Sequence, residues 1–321
     1  MQVIITRIFG WSVVTIFFTF LLNNYLVIWR DWPGIITLFE STAPTEFGLA
    51  WSQMASYTVA IIGSVIYVLK NPDVTLRDDS KVFTFISAYI IRVAFWAVLF
   101  IGLADALISF LRVENLLASI VSKDMTTQLG RPQFRAPLIH APLIILSLII
   151  AVLNRQLCFT WLALMVVAAE LVIVFSRFVF SYEQAFMGDL VRFWYAALFL
   201  FASAYTLLED GHVRVDVVYA GFTKKTKGLV NAIGSVVLGI ALCGVILLIG
   251  MSGKANIINS PLLNIEVSQS GYGMYVKYLM AGFLAIFAST MLIQFTSSTL
   301  SGIADFRGDP GGREVPDEML H

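Results

Sequence analysis

Charged side chains within long apolar stretches are the residues of this sequence that could do chemistry. Between about 159 and 208 they are Glu170, Arg177, Asp189 and Arg192. Asp189 and Arg192 are at i,i+3 on one predicted helix, and the short loop 181–188 returns that helix beside Arg177, so we expect Asp189 to bridge both arginines. Glu183 is a possible further member. The group is either a functional ion-pair clasp or, the simpler interpretation, a structural clamp between two hairpin helices.

Three charges within apolar segments lie apart from the predicted Arg177–Asp189–Arg192 bridge. Glu170 is in the middle of its segment, where one carboxylate without neighbouring amide or hydroxyl ligands is a weak cation site, so a contact between helices or subunits is the better interpretation. Arg92 and Asp105 share one predicted helix but are separated by about 20 Å along it. They cannot pair with each other, and each needs a partner elsewhere.

Histidines and cysteines are too few for most cofactor sites. The only histidines are His140, His212 and His321, and at most one lies within an apolar segment, which argues against a bis-histidine haem protein. His140 stands between two prolines and is expected to satisfy a freed carbonyl rather than to bind a metal. Cys158 and Cys243 do not make a disulfide scaffold. No nucleotide-binding, zinc-protease or serine-nucleophile motif occurs, so we predict no enzyme and no cofactor.

The elements that must position these residues are membrane helices. Of the 321 residues, 58% are hydrophobic and 13% charged, whereas soluble domains carry roughly 25% charged residues. The net charge is zero and no basic domain exists, which argues against nucleic-acid binding. The apolar residues form stretches of about 20, the length of a transmembrane helix. We predict eight such helices, at about 8–29, 49–69, 83–111, 137–153, 159–180, 190–208, 229–251 and 273–297.

Lysines and arginines are more frequent on one side of this topology, so the positive-inside rule places both termini in the cytoplasm. The loop 112–136 repeats apolar residues at helical spacing and is predicted to form an amphipathic helix at the outer interface. A helix packed onto another subunit is an equally good interpretation. Two stripes of small residues, spaced by four, predict close helix packing in the last two spans: Ser235, Gly239 and Cys243, and Ala281, Ala285 and Ser289.

Three motifs in the C-terminal half carry a family resemblance. Arg177-Phe178-Val179-Phe180 ends one span, and Asp189 opens the next span, followed by Arg192. His212-Val213-Arg214-Val215-Asp216 then precedes a basic loop, and His212 and Asp216 would share one face of a helix. With these motifs, the stretch from Glu170 to about Gly250 resembles the small membrane subunit (DctQ type) of TRAP transporters, the tripartite ATP-independent periplasmic carriers.

This resemblance implies a division of the chain. Typical members have four spans, here the last four, so the predicted regions are an extra four-helix region at 1–153, a DctQ-like four-helix domain at 154–300 and a cytoplasmic tail at 301–321. The first region resembles the enlarged form of the subunit found in some bacterial TRAP systems. Candidate structural or interface residues are Arg177, Asp189, Arg192, His212, Arg214, Asp216, Glu170, Arg92 and Asp105.

The resemblance also implies a function. The small subunit is a static scaffold in the bacterial inner membrane and assembles with a large membrane subunit that carries the substrate and sodium sites. A periplasmic binding protein delivers the substrate, commonly an organic acid such as a carboxylate, and import is sodium-driven. Two alternatives stay open at this point: an autonomous secondary carrier with Glu170, Arg177 and Asp189 in its path, and a respiratory membrane subunit.

Overall fold

The computed structural model describes residues 1–39, 47–155, 159–182, 184–208, 217–268 and 273–312. Within these ranges the chain is helical and contains no strand. Eight of the helices in this part of the chain are long and apolar enough to cross a membrane, which confirms the predicted all-α architecture. They are α1 (Gln2–Trp29), α2 (Phe47–Lys70), α3 (Leu76–Val113), α4 (Pro132–Leu153), α5 (Phe159–Phe180), α6 (Met187–Leu208), α7 (Lys224–Met251) and α8 (Lys277–Arg307).

Several helices extend beyond the apolar segments that predict them, because polar capping residues and charged turns continue the helix. The 38 residues of α3 correspond to about 57 Å, much longer than a hydrocarbon core of about 30 Å. Its first turn is capped by Thr75 and Asp78, which hydrogen-bond reciprocally: Thr75 Oγ1 donates to Asp78 Oδ2 at 2.7 Å and accepts from Asp78 N at 3.2 Å. The predicted start of α8 at 273 is four residues too early.

The loop between α3 and α4 contains two short helices, Leu117–Ile120 and Lys123–Leu129, instead of one continuous amphipathic helix. The break lies at Ser122, whose extended backbone and side chain cap the second helix through Met125 N. Helix α4 then begins at Pro132, earlier than hydropathy predicts, because proline is favoured in the first helical turn. The remaining short helices are Ile35–Leu38, Val217–Ala220 and Asn259–Asn264.

Two of the long helices contain a π-helical turn. In α4 it covers Ala136–His140, and in α7 it covers Ser235–Ile240. In a π-turn the backbone hydrogen bond joins residues five apart, and such turns are frequent at functional sites. Neither turn is predicted from the sequence.

The contacts divide the chain into two units, and each combines segments from both halves of the sequence. Unit 1 consists of Met1–Ser87, Asp210–Val245 and Met291–His321, and unit 2 consists of Ala88–Glu209 and Ile246–Thr290. The regions 1–153, 154–300 and 301–321 remain a prediction about family relationship, since spatial units and family regions need not coincide.

Unit 1 contains a close helix–helix approach built on small residues. A Cβ atom at Gly228 would lie 2.6 Å from Gly302 O and 2.7 Å from Phe306 N, so α7 and the end of α8 touch through their backbones. Further along α7, Phe295 packs directly onto Gly239, a member of the predicted small-residue stripe. Polar contacts add to this packing, because Ser80 Oγ lies 2.7 Å from both Ser297 Oγ and Ser301 Oγ.

Unit 2 is centred on α3, α4, α6 and the first half of α8. A Cβ atom at Gly102 would overlap the indole of Trp194, so α3 and α6 also approach closely. Phe193 and Phe201 of α6 both contact Phe283 of α8, with ring centroids 5.2 and 4.9 Å apart. Amid this apolar packing lies a group of buried charged residues.

Candidate functional site

A fully buried ion pair between Asp105 of α3 and Arg135 of α4 is the centre of the site in unit 2. Arg135 Nη1 donates to Asp105 Oδ1 at 2.7 Å, and both side chains are inaccessible to solvent. The other carboxylate oxygen, Oδ2, accepts from Tyr275 N at 2.7 Å. Arg135 also donates from Nε to Leu129 O at 2.6 Å and makes a longer contact of 3.4 Å with Ser109 Oγ. Asp105 therefore joins α3, α4 and the segment before α8.

His140 extends this network to α8. Its Nε2 lies 3.2 Å from Asp105 Oδ1, and its Nδ1 lies 2.8 Å from the hydroxyl of Tyr278. Because a carboxylate only accepts hydrogen bonds, we assign the ring proton to Nε2. In the tautomer that carries only this proton, Nδ1 accepts a hydrogen bond from the Tyr278 hydroxyl. The opposite charges of Asp105 and Arg135 compensate each other at the centre of this network.

Tyr275 closes the site on its other side. Its hydroxyl donates to Gly130 O at 2.8 Å and lies 2.7 Å from Arg112 Nη1. The guanidinium of Arg135 lies 4.3 Å from the centre of the Tyr275 ring, a cation–π geometry. The aromatic ring therefore contacts the cation whose charge Asp105 balances.

The π-turn of α4 explains how Arg135 and His140 reach one carboxylate. In a regular α-helix, residues five apart point in directions about 140° apart. The turn at Ala136–His140 contains one residue more than an α-helical turn, so it brings these two side chains towards the same face. Both contact Asp105 Oδ1 in consequence.

Sequence reasoning identifies Asp105 but misses its partners. It assigns Arg135 to the loop 112–136 and expects His140 to bind a freed carbonyl, whereas His140 bonds a carboxylate and a phenol. Every oxygen of Asp105 accepts at least one hydrogen bond. Within the described residues, Arg135 Nη2 has no hydrogen-bond partner. Such an arrangement fixes the helices in place, and both oxygens of the carboxylate are occupied by donors of this chain.

A second buried ion pair lies in unit 1. Arg7 Nε donates to Asp79 Oδ2 at 2.6 Å, with exposed fractions of 0% and 1% for the two side chains. Arg7 Nη1 also donates to Asn71 O at 2.7 Å. Arg7 Nη2 and Asp79 Oδ1 have no hydrogen-bond partner in the described part of the chain. Hydropathy treats Arg7 as a cytoplasmic charge that precedes the first span, so this pair is also missed.

Asp189, in the first turn of α6, is mostly buried and holds a distant segment. Its Oδ2 accepts from Ser268 Oγ and from Met274 N, both at 3.1 Å. Its Oδ1 lies 3.7 Å from Arg192 Nη1, the i,i+3 contact expected from the spacing. A negative charge is also favourable at this end of a helix. Asp189 therefore ties the start of α6 to the segment that leads into α8.

The two arginines that the sequence places near Asp189 are not buried. The Arg192 side chain is 76% exposed, and Arg177 is exposed in the last turn of α5. Arg92 is buried, and its Nε donates to Ala151 O at 3.3 Å, near the end of α4. Glu170 is exposed on α5.

The motif His212, Arg214 and Asp216 lies outside the described residues, so its predicted pairing stays a prediction. Glu183 lies outside them as well.

Glu114, just after α3, links this end of α3 to the segment that follows α5. Its Oε1 accepts from the Tyr182 hydroxyl at 2.8 Å and from Gln184 Nε2 at 2.6 Å. The hydrogen bond to this carboxylate raises the pKa of Tyr182, since it stabilises the protonated phenol.

Unit 2 also contains a cavity of about 330 Å³ among α3, α4, α6 and α8. Its lining is almost entirely apolar, for example Val98, Leu148, Phe201 and Ile286. The one lining hydroxyl, that of Tyr89, donates to Leu148 O at 3.2 Å. The cavity therefore offers no cation to a carboxylate.

Comparison with known protein families gives a match in the C-terminal half of the chain. Residues 162–299 match the family described as "Tripartite ATP-independent periplasmic transporters, DctQ component". The match covers α5, α6, α7 and most of α8, and so falls within the region 154–300 predicted to be DctQ-like. Searches of curated proteins and of solved structures gave no match. Residues 162–299 are therefore similar to the DctQ component of these transporters.

Proposed function

We propose that this chain is the scaffold subunit of a TRAP transporter, which assembles with a large membrane subunit for sodium-driven, binding-protein-dependent import of an organic acid such as a carboxylate. The observation that carries the proposal is the DctQ match at residues 162–299. DctQ is a transporter component rather than an enzyme family, and its members work with a large membrane subunit and a binding protein.

The polar interior of unit 2 supports a static role. The carboxylate of Asp105 and the ring of His140 are engaged with neighbouring side chains and backbone, and the cavity lining carries no cation for an acidic substrate. A transport path would instead need polar groups that a substrate or ion can occupy in turn. We therefore place the substrate and sodium sites in the large subunit, with no cofactor in this chain.

The proposal includes a location and an orientation. Eight helices of membrane-spanning length and the DctQ match describe a multi-pass membrane protein. We place it in the bacterial inner membrane. We place both termini in the cytoplasm because of the distribution of lysines and arginines between the loops. The binding protein would then dock from the periplasmic side.

Gentle solubilisation of native membranes and purification through a tag on this chain test the assembly. We expect a large polytopic membrane protein to co-purify at about one copy per copy of this chain. Reconstitution in liposomes then tests the division of labour: uptake should require this chain, the large subunit, the binding protein and a sodium gradient together.

The autonomous-carrier alternative makes the opposite prediction. A chain that purifies alone and by itself catalyses sodium-dependent uptake would overturn the scaffold role. In that case substitution of Glu170 or Asp189 would abolish uptake by the isolated chain, whereas a scaffold has no such uptake to lose.

A further inference from the structure

Helix α5 presents a broad apolar face that the other described residues of the chain do not cover. Four residues at helical spacing define this face, which we call the α5 face: Val167, Leu171, Val174 and Phe178, with exposed fractions of 54, 51, 47 and 80%. The opposite side of α5 packs inward through Leu162 and Ala169, which are buried. Residues at i, i+4, i+7 and i+11 share one side of a helix, so the face is continuous along α5.

Glu170 lies at the edge of the α5 face, near the middle of the helix. It is about 16 Å along the axis from Phe159 and about 15 Å from Phe180, so a helix that spans the membrane places it near the bilayer centre. The residue is exposed, and no described residue forms a hydrogen bond or an ion pair with it. A carboxylate at this depth costs several kcal/mol in contact with lipid and therefore calls for a partner group.

The charge on the α5 face argues against a second copy of this chain as that partner. Two copies insert into a membrane with the same orientation, so their α5 helices would run parallel. Glu170 of one copy would then face Glu170 of the other at the same depth, and like carboxylates repel. A different membrane protein can instead provide a cation at this depth, which removes the cost of the exposed carboxylate.

We propose that the α5 face and Glu170 form the docking surface for a helix of the large membrane subunit, and that this helix carries an arginine or lysine near the middle of the membrane. The proposal rests on the function proposed above and adds the surface and the chemistry of the contact. Apolar packing supplies the contact area, and the buried ion pair fixes the register of the two helices.

Variants of Glu170 test the ion pair through co-purification of the large subunit. Glu170→Leu removes the carboxylate, and we expect at least a roughly tenfold loss of the co-purified subunit, because the partner's cation is left unpaired in the contact. Glu170→Gln keeps the shape and some hydrogen bonding, so its loss should be smaller. Val179→Leu is the matched control, since Val179 is exposed on the same helix about half a turn from Glu170.

Photo-crosslinking locates the surface independently of stability. A photoreactive phenylalanine analogue is placed at position 167 or 174, on the α5 face, and at 179 as the control. We expect covalent adducts with the co-purifying large subunit from 167 and 174 and a much weaker adduct from 179. Illumination is done in native membranes, so the full complex is present.

The outcomes separate this inference from the function on which it rests. If the large subunit co-purifies but Glu170→Leu retains it fully and positions 167 and 174 give no protein adduct, the α5 face contacts lipid and the inference is wrong while the scaffold role stands. Adducts between two copies of this chain at these positions also overturn it. If the wild-type chain co-purifies with no large subunit, the proposed function itself fails.

Discussion

The two buried arginine–aspartate pairs of this chain are equally inaccessible to solvent but are supported in different ways. In unit 2, Asp105 accepts from Arg135, His140 and a backbone amide, so each carboxylate oxygen is engaged. In unit 1, the Arg7–Asp79 pair rests on one charged hydrogen bond and the carbonyl of Asn71. Burial alone thus does not define the role of an ion pair. Its role depends on the number of structural elements that it joins, and Asp105 joins three: α3, α4 and the segment before α8.

Removal of the Asp105 carboxylate should have the largest effect. Asp105→Ala leaves the Arg135 charge and two further donors buried without an acceptor, so we expect a loss of about 3–5 kcal/mol in the free energy of unfolding. Thermal unfolding of the detergent-solubilised protein measures it. Asp105→Asn keeps the shape and one acceptor oxygen and should lose less. Equal stability of Asp105→Ala and the wild type would contradict a structural role for the network.

Paired apolar replacements should separate the two sites. In Arg7→Leu/Asp79→Leu both charges leave together and few other groups lose a partner, so we expect stability within about 1–2 kcal/mol of the wild type. In Asp105→Leu/Arg135→Leu, His140 and the amide of Tyr275 lose their acceptor, and we expect a deficit of about 2–4 kcal/mol. The same unfolding measurement compares the double variants, and similar losses from both would show that the two pairs are equivalent.

A glycine substitution at the close contact between α7 and α8 should show how much this contact stabilises unit 1. Gly228→Ala places a methyl group against Gly302 O, and we expect a loss of about 1–3 kcal/mol from overpacking. Gly234→Ala is the control in the same helix: nothing lies within 4 Å of its Cβ position, so helix propensity should make it neutral or stabilising by up to about 1 kcal/mol. The melting temperature should therefore fall for Gly228→Ala and stay unchanged or rise for Gly234→Ala.

The smallest effect is expected at the edge of the unit 2 network. Tyr278→Phe removes the hydroxyl that donates to His140 Nδ1, which should cost about 0.5–1.5 kcal/mol. Tyr195→Phe, on an exposed side chain of α6, is the control and should change stability very little. A loss as large as that of Asp105→Ala would mean that the histidine, rather than the carboxylate, is the centre of the network.

The architecture could be predicted because each transmembrane helix is indicated by the composition of its own segment. An apolar stretch of about 20 residues is a property of one segment, and the eight predicted stretches correspond to the eight observed helices. Helix ends were less accurate, since α4 begins with Pro132 and two polar residues that hydropathy counts as loop. The family resemblance of the C-terminal half also rested on local motifs, two of which, Arg177-Phe178-Val179-Phe180 and the Asp189 pair, lie in the described residues.

The partners of the buried charges could not be predicted, because they are distant in sequence and their contacts depend on tertiary packing. Asp189 is 79 residues from Ser268 and 85 from Met274, and one of its two contacts there is with a backbone amide, which has no sequence signature. Arg135 and His140 reach the same carboxylate because a π-turn lies between them, and the sequence does not predict this turn. Exposure of a charged side chain also depends on tertiary packing. The sequence around Glu170 is the same whether this residue faces other helices or lipid.

The contacts of Asp105 also imply an order of events during synthesis. Arg135 follows Asp105 by 30 residues, whereas Tyr275 follows it by 170. At a ribosome speed of about 5–20 residues per second, Tyr275 is made roughly 7–28 s after Arg135. The carboxylate can therefore meet its arginine as soon as α3 and α4 emerge, and the two helices can enter the lipid as a neutralised pair. The amide of Tyr275 and the phenol of Tyr278 complete the bonding only when nearly the whole chain has been translated.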